Sequence, residues 1–337
     1  MERIDDAFAG HWESLGQQLT ACLRPMTLSF FSSMPADDAQ TVADLVGDGK
    51  KLRGRLVLAV CDALGGRLDE ALTAAVAVEC VQAASLIHDD LVDDDAVRRD
   101  RPATWIVQGG RRAVLLGDLI FATALHKSAE AGQGQVLVLT KAIALMAAGA
   151  YREPLDPMET QALLQQRPRG SAVYEHIIQA KTGALFAAAA ELGAVAADAP
   201  PEVRAAAAAF GARLGEAYQM ADDLADLVSP RAAVDLSPQQ SAALQILMAG
   251  VKDPAQEEAP ADRGAAGADF PQVAGNVREA SDPLPTVAGD LAGSLQRAIR
   301  QRVRLARQAL ETFPEGPRLP FLRALPGALV MPEVAGS

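Results

Sequence analysis

Two acidic clusters carry the chemistry that this sequence can do: Asp89-Asp90-Leu91-Val92-Asp93-Asp94-Asp95 and Asp222-Asp223-Leu224-Ala225-Asp226. On a helix, residues four apart share a face with Cβ atoms about 5–6 Å apart, so Asp89 pairs with Asp93 and Asp222 with Asp226. Carboxylates packed this closely repel one another, raise each other's pKa and cost helix stability unless cations lie between them. Facing helices that each end in such a cluster would hold divalent ions. Mg²⁺ suits the arrangement, because it takes oxygen ligands and binds through one or two carboxylates together with substrate phosphates. The implied substrate is a diphosphate. A solvated acidic helix end is the usual meaning of a charge run, but each cluster follows directly on apolar sequence, Ala83-Ala84-Ser85-Leu86-Ile87 and Leu214 to Ala221. Acidic side chains facing an interior need a partner or a metal.

A diphosphate flanked by metals also needs donors, and three places supply them. Gly49-Lys50-Lys51-Leu52-Arg53 puts cations at a Gly-rich helix start, where backbone N–H groups and the helix dipole favour an anion. Arg98-Arg99 follows the first cluster, and its guanidinium forks match phosphate oxygens. Lys181-Thr182 interrupts the apolar run Ile177 to Phe186, where an unpaired ammonium would be costly.

The elements that must position these groups read as helices. The chain has 337 residues, 50% hydrophobic and only 4% aromatic, with Ala- and Leu-rich segments and few β-branched alternating runs. Helical patterns cover about 2–23, 37–46, 50–64, 69–95, 111–131, 134–150, 171–195, 201–227, 239–250 and 289–313. Residues 253–288, rich in Ala, Gly, Pro, Asp and Glu, read as a surface loop. With no internal repeat and no clear linker, residues 1–337 read as a single all-α domain, a helical bundle with a central cavity.

The net charge of −12 argues against nucleic acid or an anionic membrane surface as the main partner. Met1 to Asp6 does not open a signal peptide, and no segment reads as long and apolar enough to span a bilayer, so a cytoplasmic protein is expected. Cys22, Cys61 and Cys80 read as reduced thiols rather than a metal or disulfide set. His88, just ahead of the first aspartate pair, reads as a supporting donor, while His11, His126 and His176 have no ligand spacing and read as surface or packing residues.

Five segments within about 47–227 together resemble the trans-isoprenyl diphosphate synthases, or polyprenyl synthetases. They are Gly49 to Arg53, Ser85 through Asp93 to Arg99, Gly117-Asp118-Leu119, Lys181 to Phe186, and Gly215 through Gln219 to Asp226, in the family's order and spacing. The resemblance implies an isoprenoid-synthase-like bundle. It also implies a reaction that joins an allylic diphosphate to isopentenyl diphosphate with loss of pyrophosphate, usually in a homodimer. It makes Asp89, Asp93 and Asp222 the principal ligands of three Mg²⁺ ions, supported by Asp90, Asp223 and Asp226. Arg98, Lys181, Thr182 and Gln219 would then hold the allylic diphosphate, and Lys50, Arg53, Gln82 and Arg99 isopentenyl diphosphate. Asp89, Asp93, Asp222, Lys181 and Arg98 form the catalytic set, with no protein nucleophile and the last proton passing to pyrophosphate.

In this family, bulky residues four or five places before the first aspartate close the tunnel for the product tail. Here those places hold Ser85 and Ala84, which implies a geranylgeranyl or longer product, with Leu119, Phe121 and Phe186 as a deeper floor. Four features depart from the pattern. Gly54 stands where proline is usual, Asp100 where glycine is usual, and Gln82 where histidine is common in bacterial members. The loop Ser229–Leu236 is short and lysine-free, with Arg231 as its one cation. Two rivals remain at this stage. A cyclase acting on one prenyl diphosphate would have no use for Lys50, Arg53 and Arg99, and an inactive partner subunit would have no need of intact aspartates.

Overall fold

A computed structural model describes residues 2–153, 170–228 and 284–330. The expected helix 239–250, the loop Ser229–Leu236 with Arg231, and residues 253–283 lie outside the described residues. What is described is all-α apart from one short ribbon. In chain order the helices are α1 (Glu2–Phe30), α2 (Ala36–Gly47), α3 (Leu52–Ala63), α4 (Leu68–Val92), α5 (Thr104–Gln108), α6 (Gly110–Ala131) and α7 (Gln133–Arg152). They continue with α8 (Gly170–Ile178), α9 (Ala184–Ala196), α10 (Pro201–Val228), α11 (Leu284–Ala309) and α12 (Leu319–Val330). Between α4 and α5, β1 (Val97–Arg98) pairs antiparallel with β2 (Arg101–Pro102).

The core forms around α4, whose Ala-, Val- and Cys-rich surface is buried from Ala71 to Ile87. Helices α3, α6 and α9 pack on it, and α9 is in turn covered by α10, which α11 backs. Small residues set the layer spacing. A Cβ at Gly211 of α10 would stand 2.2 Å from the Phe186 carbonyl, and one at Gly193 of α9 would stand 2.4 Å from that of Val57. The three helices α3, α9 and α10 therefore cross with backbones nearly touching, and past that crossing Gln219 and Asp223 of α10 meet Thr182 and Tyr174.

Several sequence expectations need correction. Helix α1 continues through Pro25 to Phe30 instead of stopping at 23. Leu19, Leu23 and Phe31 bury on one side of this region, and the Thr27 hydroxyl donates to the Leu23 carbonyl at 2.8 Å, so packing outweighs the proline penalty. Helix α4 ends at Val92 rather than 95, and α11 begins at Leu284, inside the stretch read as a loop. Two helices, Leu68–Val92 and Gln133–Arg152, are long and apolar enough to cross a membrane, contrary to the expectation of none. For α4 the reason is that most of its apolar stretch is buried in the protein, so no wide polar face interrupts its hydropathy.

Candidate active site

The first acidic cluster lies at the open end of α4. Asp93 keeps helical dihedrals as the C-cap, and its N–H donates to the Asp89 carbonyl at 2.8 Å, so the two carboxylates share a face as their spacing predicts. Asp90 points elsewhere. It is buried and is held by Arg98 Nε, and Asp95 lies 3.9 Å from the same guanidinium. Arg98 is thus engaged with the acidic cluster in this structure. At the tip of the ribbon, Arg99 and Asp100 have φ of 53° and 62°, as the central pair of a tight hairpin requires. That accounts for Asp100 at a usual glycine position, because aspartate tolerates the left-handed region. Arg99 reaches back to Asp48 at 3.3 Å and lies flat on Gly49.

The ribbon therefore joins the loop before α3, where the two lysines separate. Lys50 is exposed, whereas Lys51 is buried at φ 54° with Nζ donating to the carbonyls of Asp48 and Gly49. Burial brings the Lys51 ammonium down to about 8, with the Glu79 carboxylate opposing and Arg99 and Arg55 adding to the fall. The start of α3 is not the open anion site expected from its sequence. Its Gly54 N–H donates to Glu79 Oε1 at 2.7 Å, and the Arg53 N–H donates to the same carboxylate. Glu79, buried on α4, thus caps α3 from outside, and anions at this end must be held by side chains. Arg53 is suited to that. Its guanidinium lies 4.6 Å over the Phe186 ring, and its Nε–H is shielded from solvent with no acceptor among the described residues. Burial draws Arg53 down to about 10, against the charges of Glu79, Tyr218 and Asp222, and it stays protonated.

On the opposite side, the helix expected over 171–195 is broken by a π-helical turn at Gln179–Gly183, which carries Lys181 and Thr182. Such a turn adds a residue to the helix and re-aims side chains, as is common at functional sites. Lys181 Nζ pairs with Glu153 at 2.5 Å and also feels Asp89 and Asp93. Burial lowers its pKa, but the three carboxylates outweigh that and leave it above the ordinary lysine value. Burial in turn pushes Asp89 above the usual carboxylate range, with Lys181 opposing. Glu153 was not picked out from the sequence, although a carboxylate between an apolar helix and Pro154 carries the same signal as the two aspartate clusters.

Thr182 Oγ donates to Gln219 Oε1 at 2.9 Å, and Gln219 Nε2 donates to Asp223 Oδ1 at 2.9 Å. The Tyr174 hydroxyl completes the chain by donating to Asp223 Oδ2. Burial and the Asp223 charge raise the Tyr174 phenol far above its usual value. Asp90 and Asp223 are each engaged by protein donors. The Asp226 side chain lies outside what is described.

The tunnel residues also separate. Ala84 is fully buried, while Ser85 is only partly buried and donates to the Gln82 carbonyl at 3.0 Å. Of the deeper floor only Phe121 stands near this region, with its ring 5.7 Å from that of His88. Leu119 faces outward, and Phe186 lies under Arg53 instead, because Gly215 lets it pack against α10. His88 reaches α6, with Nε2 3.0 Å from the Val114 carbonyl and 3.7 Å from Asp118.

Whether the residues fit metal ions is a question of donor chemistry. Among the described residues no three potential ligands converge on one point. Asp89, Asp93 and Asp222 offer oxygen donors from two helices, and an ion held by so few side chains would complete its shell with water and substrate oxygens, as Mg²⁺ does.

The arrangement defines a helical protein in which acidic residues at the ends of two helices lie near buried cations. Residues 39–256 match the polyprenyl synthetase family, and the chain belongs to it. The geranylgeranyl diphosphate synthase of Methanosarcina mazei is 34% identical over 188 residues, covering 54% of this chain and 56% of that one. The short chain isoprenyl diphosphate synthase of Methanothermobacter thermautotrophicus is 32% identical over 195 residues, covering 55% and 56%. The chain thus spans about half the length of the relatives it matches. In fold it is similar to a geranylgeranyl pyrophosphate synthetase from Geoglobus acetivorans, with a TM-score of 0.69 at 19% identity over 95% of this chain and 98% of that one.

Proposed function

We propose that the chain is a Mg²⁺-dependent trans-prenyltransferase that condenses isopentenyl diphosphate with an allylic diphosphate to give geranylgeranyl diphosphate or a longer product. The observation that carries this reading is the presence of two separate cation groups. Lys181 stands with Asp89, Asp93 and Glu153, and Arg53 and Arg99 stand around the loop before α3, with Asp222 acting on Arg53 between the groups. One diphosphate needs one such group, and two substrates need both.

Asp89, Asp93 and Asp222 would hold the ions, three in number by the family's pattern. When bound, Mg²⁺ supplies Lewis-acid stabilisation of the negative charge on the departing diphosphate. Lys181 and Gln219 orient that diphosphate. Lys50, Arg53 and Arg99 fix isopentenyl diphosphate so that its alkene faces the carbon losing the C–O bond. As that bond breaks, the alkene forms the new C–C bond, and the proton released from isopentenyl diphosphate goes to pyrophosphate. His88 does not serve as the base, since it is engaged with α6.

Purified protein with Mg²⁺, isopentenyl diphosphate and each allylic diphosphate in turn should yield a longer prenyl diphosphate. A cyclic hydrocarbon from one allylic diphosphate, or no turnover with any primer, would overturn the reading. Ser85 is the more accessible of the two small tunnel residues, so Ser85→Phe should shift the product to a shorter chain in mass spectra, and an unchanged product would place the tunnel elsewhere.

The enzyme acts as a homodimer in the cytoplasm, consistent with its free cysteines and acidic charge. Helices α5, α6 and α7 expose Val107, Leu115, Leu119, Leu137 and Leu145, with Leu115 and Leu119 one turn apart on α6. Leu115→Glu with Leu119→Glu should give a monomer by light scattering, and a dimer that persists would move the interface off α6.

A further inference from the structure

We propose that Tyr174 is a positioning residue that aims the amide of Gln219 at the allylic diphosphate, acting through Asp223. This rests on the reading above that Gln219 contacts that diphosphate. A glutamine amide offers two N–H donors and one carbonyl acceptor, and only a donor can serve a phosphate. Gln219 Oε1 accepts from Thr182 and one Nε2–H donates to Asp223, both at 2.9 Å. These two bonds fix which way the amide points, and they leave its second N–H for an anion. The opposite amide orientation would set Oε1 against the Asp223 carboxylate.

Asp223 can direct the amide only if its own carboxylate is fixed, and Tyr174 does that by donating to the second oxygen. Tyr174 is almost wholly buried and comes from α8, so its hydroxyl bridges two helices. A second contact locks the same helices at the same level. Arg302 of α11 reaches Glu175, beside Tyr174, at 3.1 Å and buried Glu216 of α10, one turn before Gln219, at 2.7 Å. Arg302 lies beyond the residues that match the family, so this brace comes from the C-terminal part of the chain.

The test is Tyr174→Phe, which removes one oxygen and keeps the ring in its packing. KM is measured separately for the two substrates, and binding of inorganic pyrophosphate with Mg²⁺ is measured by calorimetry. The expected result is a rise of roughly tenfold in the allylic KM and in the pyrophosphate dissociation constant, with the isopentenyl diphosphate KM unchanged. Gln219→Ala should show the same rise, and the double variant should show no more than either alone, because the two act in series. Wild-type pyrophosphate binding in Tyr174→Phe, equal rises for both substrates, or additive effects in the double variant would overturn the assignment. Failure of the wild-type protein to turn over any primer would instead overturn the prenyltransferase reading, while the pyrophosphate titrations would still decide the role of Tyr174.

Discussion

Asp89→Ala is expected to lower kcat by roughly 10²- to 10³-fold while leaving the fold intact, and Asp222→Ala should do the same. On the proposed reading each loses a metal ligand whose contribution would grow as charge builds on the departing diphosphate, so the loss belongs in kcat as well as in kcat/KM. Neither should unfold the protein. Without Asp89, Lys181 keeps its 2.5 Å partner Glu153. Without Asp222, Arg53 keeps the charge of Glu79.

The direction of the Asp89 shift sharpens the expectation. Burial raises its pKa in the folded state, so the folded protein binds that proton more tightly than the unfolded chain. Its stability contribution is therefore present at low pH and is lost as pH rises through the raised value. Near neutral pH, without Mg²⁺, Asp89→Ala should melt no lower than wild type. A carboxylate that costs stability yet supports turnover is kept for function. Wild-type rates in both variants would remove the assignment of metal ligands, and a large fall in melting temperature would make Asp89 a structural residue.

How much of this site was legible in the sequence differs from residue to residue. The aspartate clusters were, because long Ala- and Leu-rich runs fix α4 and α10, and helical spacing then fixes the shared face of Asp89 and Asp93. That Lys181 needs a partner followed from the burial cost of an ammonium, though the partner, Glu153, was missed. The π-helical turn was not legible, since propensity does not distinguish an i→i+5 bond from an i→i+4 bond. Arg98 reads as a phosphate ligand from its neighbours in the chain, but the ribbon that folds it back onto Asp90 depends on positive φ at Arg99 and Asp100, residues not chosen for that conformation as glycine is. At α3, a Gly-rich basic helix start predicted an open anion site. The residue that closes it, Glu79, lies 25 positions away and is invisible to local reading.

That closure explains Gly54, and the substitution that would restore the family's usual residue there should be strongly destabilising. Proline is usually tolerated in the first turn of a helix because the N–H it lacks would be unpaired anyway. In this chain the Gly54 N–H donates to a buried carboxylate at 2.7 Å. A Cβ at this position would stand 2.7 Å from Leu19 Cδ2 and 3.1 Å from both the Ala75 carbonyl and Glu79 Cγ. The two costs can be separated. Gly54→Ala adds the Cβ but keeps the N–H, and should lose about 1–3 kcal/mol from overpacking, less up to about 1 kcal/mol from a stiffer unfolded chain. Gly54→Pro should lose a further ~1–3 kcal/mol, because Glu79 is left with one donor fewer while it stays buried. Urea denaturation should show both as lower midpoints at an unchanged m-value. The same carboxylate faces Lys51 and Arg53, so a displaced Glu79 should also raise the KM for isopentenyl diphosphate in whatever fraction of Gly54→Pro folds. Equal stability of the proline and alanine variants would mean that the Gly54 N–H contributes nothing. A proline variant as stable as wild type would mean that Leu19 and Glu79 yield freely, and that the glycine does not hold this end of the site.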